Sequence, residues 1–254
     1  MKHRIDLNCD IGESFGAWRM GDDDNAMQHI SSANIACGFH AGDPATMRAT
    51  VAAAMRYKVT IGAHPSLPDL QGFGRREMQV SAADVHAMVL YQVGALSGFT
   101  TAAGARLSHV KPHGALYNMS ARDPVVADAI AEAVADFDST LIFVGLSGSE
   151  SIKAAERRGL PVAHEVFADR RYRADGSLMP RSVPGAVIDD IDQAVAQALD
   201  LATRGQVVAD DGSLVQLQAD TLCLHGDRED AAEFARRLRL ALDAASVEVI
   251  ALER

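Results

Sequence analysis

Side chains suited to hydrolytic or acid–base chemistry recur along this chain at the ends of apolar runs. They are Asp10 and Glu13 in RIDLNCDIGE, His40 and Asp43 in ANIACGFHAGDP, and His64 in VTIGAHP. Lys111 and His113 follow in LSHVKPHG, Glu165, Asp169 and Arg170 in LPVAHEVFADRR, and His225 and Asp227 in DTLCLHGD. Asp10, Glu165 and Asp169 are carboxylates of the kind that serve as general acids or bases. Asp10, His40 and His64 have the ligand types that hold a divalent metal able to activate water. The competing reading is that the histidines hydrogen-bond loop backbone and hold no metal; the sequence leaves both open. Lys111, Arg75, Arg76 and Arg170 have the chemistry to hold a carboxylate or phosphate. For each arginine alone a solvated surface position is the better reading, except Arg170, which abuts Asp169 at a strand end. His109, at the start of its run, and His164, pointing away from Glu165, are set aside.

The elements that must position these groups begin with residues 4–13. In an extended strand alternate side chains face opposite ways. Asp6, Asn8 and Asp10 therefore share one face, and Ile5, Leu7, Cys9 and Ile11 the other. Further strands are expected at 34–40, in VTIGAHPSL, in LSHVKPHGALY, in the almost wholly apolar STLIFVGLS, in LPVAHEVFADRRY and in DTLCLHGD. Helices lie between them. Asp43-Pro44 and Asp123-Pro124 each supply an N-cap followed by a proline suited to the first helical turn. Ser81-x-x-Asp84 forms a capping box. Gly159 and Gly205 stand where left-handed caps end helices. Residues 206–218 read as a small hairpin turning at Asp211-Gly212, and a helix over 229–244 precedes a last apolar segment, VEVIAL. Seven strands alternating with helices imply parallel βαβ units. A closed barrel and an open doubly wound sheet both fit that pattern. The barrel is favoured, because polar residues end nearly every strand rather than one switch point. No linker or composition break appears, so residues 1–254 are expected to form a single domain.

Of the 254 residues 48% are hydrophobic, enough for a large core, and only 5% are aromatic, so Ala, Val, Leu and Ile must do the packing. The net charge of −10 argues against nucleic acid or an anionic membrane as partner. Cys9, Cys37 and Cys223 lie in apolar runs without a CxxC pair, which fits buried free thiols in a reducing compartment. No signal-peptide core or membrane-spanning run is present, so a cytoplasmic protein is expected. The phosphate loop GxxxxGK[ST], the GxGxxG fingerprint and the GxSxG elbow are all absent.

DLNCDIGESFG, ANIACGFHAGDP, GAHPSLPDLQGFGRR, HVKPHGALYN, EVFADRRYRADGSL and CLHGD together resemble the LamB/YcsF family, whose members include A subunits of bacterial ATP-dependent 5-oxoprolinase. The resemblance spans nearly the whole chain. It implies a distorted (β/α)7-type barrel of the glycoside hydrolase/deacetylase kind. It also implies ATP-coupled opening of the 5-oxo-L-proline lactam to L-glutamate, together with B and C subunits. Related deacetylases hold a metal through one Asp and two His, and Asp10, His40 and His64 are the positions that match by fold-level analogy. Lacking a phosphate loop, this chain is expected to leave ATP largely to its partners. On this reading Asp10 or Glu165 is the base, and His113 and Lys111 stand near the developing charge. Asn8, Glu13, Asp169, Arg170 and His225 contact substrate. Two alternatives are a stand-alone metal-dependent deacetylase or amidohydrolase, and a non-catalytic subunit that delivers substrate.

Overall fold

The computed structural model describes residues 3–225 and 230–252, with His225 described by its backbone alone. The chain runs β1 (Arg4–Ile11), α1 (Asp23–Ala26), β2 (Ser32–Ala36), α2 (Pro44–Tyr57), β3 (Thr60–His64), α3 (Ala82–Ala102) and β4 (Leu107–Val110). It continues through α4 (Gly114–Arg122), α5 (Pro124–Asp138), β5 (Ile142–Leu146), α6 (Glu150–Arg157), β6 (Val162–Phe167) and α7 (Ile191–Arg204). It ends with β7 (Gln206–Val208), β8 (Leu214–Gln216), β9 (Thr221–His225), α8 (Ala231–Ala244) and β10 (Glu248–Val249).

Seven parallel strands, in the order β1-β2-β3-β4-β5-β6-β9, close into a barrel, because β9 pairs with both β6 and β1. Closure leaves no switch point, so the open-sheet alternative falls. β10 pairs in parallel with the start of β1, outside the ring, with Arg4 beside Glu248. β7 and β8 form the antiparallel hairpin read from residues 206–218. Among the described residues no helix is long and apolar enough to cross a membrane.

The alternation in β1 decides which chemistry goes inside. Ile5, Leu7, Cys9 and Ile11 are buried in the main apolar cluster, which the surrounding helices share. Asp6, Asn8 and Asp10 turn into the barrel, where polar partners meet them. The helices are set as their caps require. The Asp43 carboxylate accepts from the amides of Ala45 and Thr46, that of Asp123 from Val125 and Val126, and the Ser81 hydroxyl from Asp84. Each such cap contributes about 1 kcal/mol. α5 packs between α3 and α6 on the outside of the barrel.

Two strands are shorter than their sequences suggest. β2 ends at Ala36, because Gly38 (φ 99°) turns the chain before His40 and Gly42 (φ 80°) turns it again after. β4 ends at Val110; Pro112 cannot donate to a ladder, and Gly114 (φ 56°) opens α4 directly. His40, Lys111 and His113 therefore sit on the loops just beyond the strand ends rather than on the strands themselves. The register levels those ends: Asp10 lies beside Asn34 and His225, and Ala36 beside His64.

Candidate active site

The barrel interior is a stack of polar layers rather than an apolar core. In the lowest, Asp6 accepts from Ser31, Ser32 and Thr221. Burial raises its carboxyl above the usual range, and the three hydroxyls oppose that shift. One layer up, Asn8 donates to Glu165 Oε1 at 3.0 Å and to Thr221 Oγ1 at 2.6 Å. The Asn34 amide donates to Asn8 Oδ1 (2.7 Å) and Asp10 Oδ1 (2.8 Å), and its oxygen accepts from His109 Nε2 (2.8 Å).

Lys111 occupies the centre. Its Nζ lies 2.8 Å from Asp10 Oδ1, 2.8 Å from Glu165 Oε1 and 3.0 Å from Cys223 Sγ. All four residues are buried, with Glu165 wholly so and Lys111 2% exposed. Burial works against the ammonium, but Asp10, Cys223 and Glu165 outweigh it and hold the lysine well above its ordinary range. Lys111 is a fixed cation, and the thiol of Cys223 is pushed up by burial. His109, lowered to about 3 by burial and then by Lys111, is a neutral donor.

Above this layer four side chains converge: Glu13, His40, His64 and His113, each offering a ligand atom within 4.8 Å of the others. His64 Nε2 is 3.0 Å from His113 Nδ1, and Glu13 Oε1 is 3.6 Å from His40 Nε2 and 3.7 Å from His113 Nδ1. The far nitrogens of two rings rest on backbone oxygens, His64 Nδ1 on Lys111 (2.7 Å) and His113 Nε2 on Phe73 (2.9 Å). The His40 ring stacks on His113 at 3.8 Å. Burial and then the His64 ring push the His40 imidazole well below its usual range; burial, His40 and His64 do the same to His113. Asp10 stands beside this group rather than in it: its Oδ2 is 3.3 Å from His64 Nε2, while its Oδ1 is taken by Lys111 and Asn34.

A cavity of about 790 Å³ opens over these residues. Asp10, His64, Lys111 and His113 form its floor, and Arg75, Arg170, Arg173 and Arg181 stand in its walls. Arg170 is buried, donates to the Met179 carbonyl (2.6 Å), and is lowered to about 10 by burial and the adjacent Arg181. A strongly acidic chain thus gives this cavity a cationic wall, which suits a small anionic ligand.

The profile of the LamB/YcsF family matches residues 5–254. The chain belongs to the LamB/YcsF family. It is similar to the 5-oxoprolinase A subunit of Bordetella pertussis, 60% identical over 96% of this chain and 96% of that protein. It is 54% identical to the 5-oxoprolinase A subunit of Bacillus subtilis, over 98% of this chain and 97% of the relative. The crystal structure of a lactam utilization protein from Thermus thermophilus superposes with a TM-score of 0.93 at 48% identity, covering 98% of this chain and all of that one. A family 4 carbohydrate esterase from Streptomyces lividans, at 10% identity and a TM-score of 0.51 over 99% of this chain and 93% of that one, shares the fold alone.

In this LamB/YcsF barrel, Asn8, Asp10, Lys111 and Glu165 share one buried hydrogen-bonded network, and Glu13, His40, His64 and His113 lie directly above it. Arg170 reaches the cavity wall. Asp169 is buried next to it, its backbone oxygen accepting from Ile188. The His225 side chain and Asp227 lie outside the described residues. Arg76 pairs with Asp69 and is not among the residues that line the cavity.

Three participants went unrecognised in the sequence. Asn34 bridges Asn8 and Asp10, and its signal was available: in β2 it shares the parity of Ala36. His109 supports Asn34 from the third residue of β4, and the expectation that it stood at a strand start hid that role. Cys223 contacts Lys111, and a lone apolar-run cysteine carries no signal for that.

Proposed function

We propose that this chain is the A subunit of an ATP-dependent 5-oxoprolinase that opens the lactam of 5-oxo-L-proline to L-glutamate, acting in the cytoplasm with B and C subunits. The observation that carries the reading is the Asp10 carboxylate on the cavity floor, fixed by Lys111 at 2.8 Å, within a chain 60% identical to a protein named for that activity.

An unstrained lactam is a stable amide, so its hydrolysis needs both an activated carbonyl and an attacking water. Asp10 Oδ1 is committed to Lys111 and Asn34, which leaves Oδ2 facing the histidines and the cavity as the proton acceptor for that water. Lys111 supplies the positive charge nearest the oxygen on which negative charge develops, a stabilisation that is strong in a water-poor site, and His113 lines the same cavity beside it. Water adds to the lactam carbon, the C–N bond breaks, and the ring nitrogen takes a proton to become the α-amino group of glutamate. Glu165, wholly buried behind Lys111, holds the lysine in place and is the less suitable base. Asn8 positions Glu165, and Glu13 orients the imidazoles. Arg170, with Asp169 beside it, receives the substrate carboxylate, and His225, at the end of β9, contacts substrate. A divalent cation on the imidazole cluster would supply Lewis-acid polarisation of the carbonyl. ATP is handled largely by the partner subunits, since this chain has no phosphate loop.

The test is reconstitution. Glutamate should form from 5-oxoproline only when this chain, the B and C subunits and ATP are combined, and Asp10→Asn should abolish it with the complex intact. Glutamate release by the chain alone without ATP overturns the division of labour. Full turnover with Asp10→Asn overturns the catalytic role and favours a substrate-delivery subunit. The buried Glu13–His cluster also favours one second reading, a stand-alone metal-dependent deacetylase or amidohydrolase. That reading requires chelator-sensitive release of acid from N-acyl compounds by the isolated chain.

A further inference from the structure

The tautomers of two histidines are fixed by their backbone contacts. A carbonyl oxygen only accepts hydrogen bonds, so His64 Nδ1, 2.7 Å from the Lys111 oxygen, carries its ring proton, and so does His113 Nε2, 2.9 Å from the Phe73 oxygen. A neutral imidazole has one N–H. The other nitrogens, His64 Nε2 and His113 Nδ1, therefore present bare lone pairs, and these face each other at 3.0 Å. Two lone pairs at that distance repel unless an electrophile lies between them. A carboxylate oxygen of Glu13 stands 3.7 Å from the same His113 nitrogen, and all of these atoms are buried.

Their spacing matches what one ion requires. Nitrogen and oxygen ligands about 2.0–2.1 Å from a tetrahedral metal lie about 3.3–3.4 Å from one another. His64–His113, His40–Glu13 and His113–Glu13 stand at 3.0, 3.6 and 3.7 Å, and all four ligand atoms lie within 4.8 Å of one another. Backbone carbonyls holding the far nitrogen of each ring are also the usual means of orienting metal-ligating histidines. His40 closes the fourth side. Its ring is stacked on His113 with Nε2 3.6 Å from Glu13 Oε1, and it joins by rotating that ring. Neither of its ring nitrogens has a hydrogen bond to resist that rotation.

We propose that Glu13, His64 and His113, joined by His40, bind one divalent transition-metal ion at the barrel mouth. Three imidazoles and one carboxylate select zinc, cobalt or nickel over magnesium or calcium. This ligand set differs from the Asp10–His40–His64 set expected by fold analogy: Asp10 Oδ1 accepts from Lys111 and Asn34, and the four ligand atoms that converge belong to Glu13, His40, His64 and His113. Asp10 then stands outside the metal's ligands, as the neighbouring proton acceptor. The alternative electrophile is a single proton shared between His64 and His113, and it predicts no saturable metal binding.

The probe is metal alone, on the full chain stripped with chelator and dialysed. Titration with Zn²⁺ in a calorimeter should give one site per chain, and Co²⁺ should produce the visible absorption of a four-coordinate nitrogen and oxygen site. His113→Ala and Glu13→Gln should each weaken binding by roughly 10- to 100-fold, with near-UV circular dichroism confirming the native fold. Asp10→Asn should change affinity less than threefold. Should either of the first two variants lose its fold, His40→Ala read by the same Co²⁺ spectrum supplies the weakened site. No saturable binding by the folded wild-type chain overturns the proposal and leaves the shared proton. Binding lost in Asp10→Asn but kept in Glu13→Gln overturns the ligand set. These readouts involve no turnover, so they stand apart from the 5-oxoprolinase reading.

Discussion

The ammonium of Lys111 lies 2.8 Å from Glu165 Oε1, with neither side chain in meaningful contact with solvent. Breaking a buried ion pair from one side leaves a charge uncompensated, at about 3–5 kcal/mol. Lys111→Met strands both Asp10 and Glu165, so it should lose an amount at the top of that range in urea denaturation. Glu165→Gln keeps the shape and leaves Lys111 paired with Asp10, so its loss should be smaller. Both should lower turnover of the assembled enzyme by roughly 100-fold or more, the scale of a displaced acid–base group. Equal stability for Lys111→Met and the wild type would show that the lysine is not a fixed cation.

The second layer can be tested from a residue that touches no ligand. A Cβ built on Gly62 falls 2.0 Å from His109 Nε2, the atom that donates to Asn34. Gly62→Ala must therefore push His109 off Asn34, which in turn holds Asp10 Oδ1 at 2.8 Å. Overpacking of this kind costs about 1–3 kcal/mol. The variant should show that loss in thermal melts, and its kcat should fall further than its KM rises. Unchanged stability would mean that His109 is not wedged between β3 and Asn34.

Much of this arrangement was legible beforehand, for a physical reason. Period-two alternation in β1 separates Asp6, Asn8 and Asp10 from Ile5, Leu7, Cys9 and Ile11, and a closed parallel barrel brings strand ends to one mouth. Alternation does not say how far a strand runs. Pro112 and Gly114 cut β4 short, and Gly38 ends β2 early, so His40 and His113 leave the strands for loops that meet Glu13. That shift groups Glu13 with three histidines and leaves Asp10 with Lys111. Lateral neighbours were the other hidden feature. Which of Asn34, His109 and Cys223 touches which depends on register between strands far apart in sequence, and nothing local encodes it.

A control lies just outside the cavity lining, where Asp123 follows Arg122. The Asp123 side chain caps α5 by accepting from the amides of Val125 and Val126, with Pro124 after it. Asp123→Ala should cost about 1 kcal/mol in urea denaturation. Turnover per folded molecule should stay at the wild-type value, since α5 meets α3, α4 and α6 rather than the cavity. A cost below a few tenths of a kcal/mol would mean that the proline and packing alone start this helix.

Asp23 gives the fold a pH dependence with a definite sign. Its carboxylate accepts from the Gly12 amide at 2.9 Å, next to Glu13, and burial raises it from 3.8 to about 6, with Asp24 and Asp22 adding to the shift. Asp24 also has Arg56 at 4.0 Å, a contact too exposed to offset that. The folded state therefore holds this proton more tightly than the unfolded chain. Its contribution is fully present below about pH 4 and is lost as pH rises through about 6, a change on the order of 2–3 kcal/mol. Asp23→Asn carries no charge to desolvate, and its amide oxygen can still accept from Gly12. The variant should match the wild type near pH 4 and exceed it at pH 7.5 by about that amount, measured by urea denaturation across the range. Parallel wild-type and variant curves from pH 4 to 7.5 would show that Asp23 titrates alike in the folded and unfolded chain.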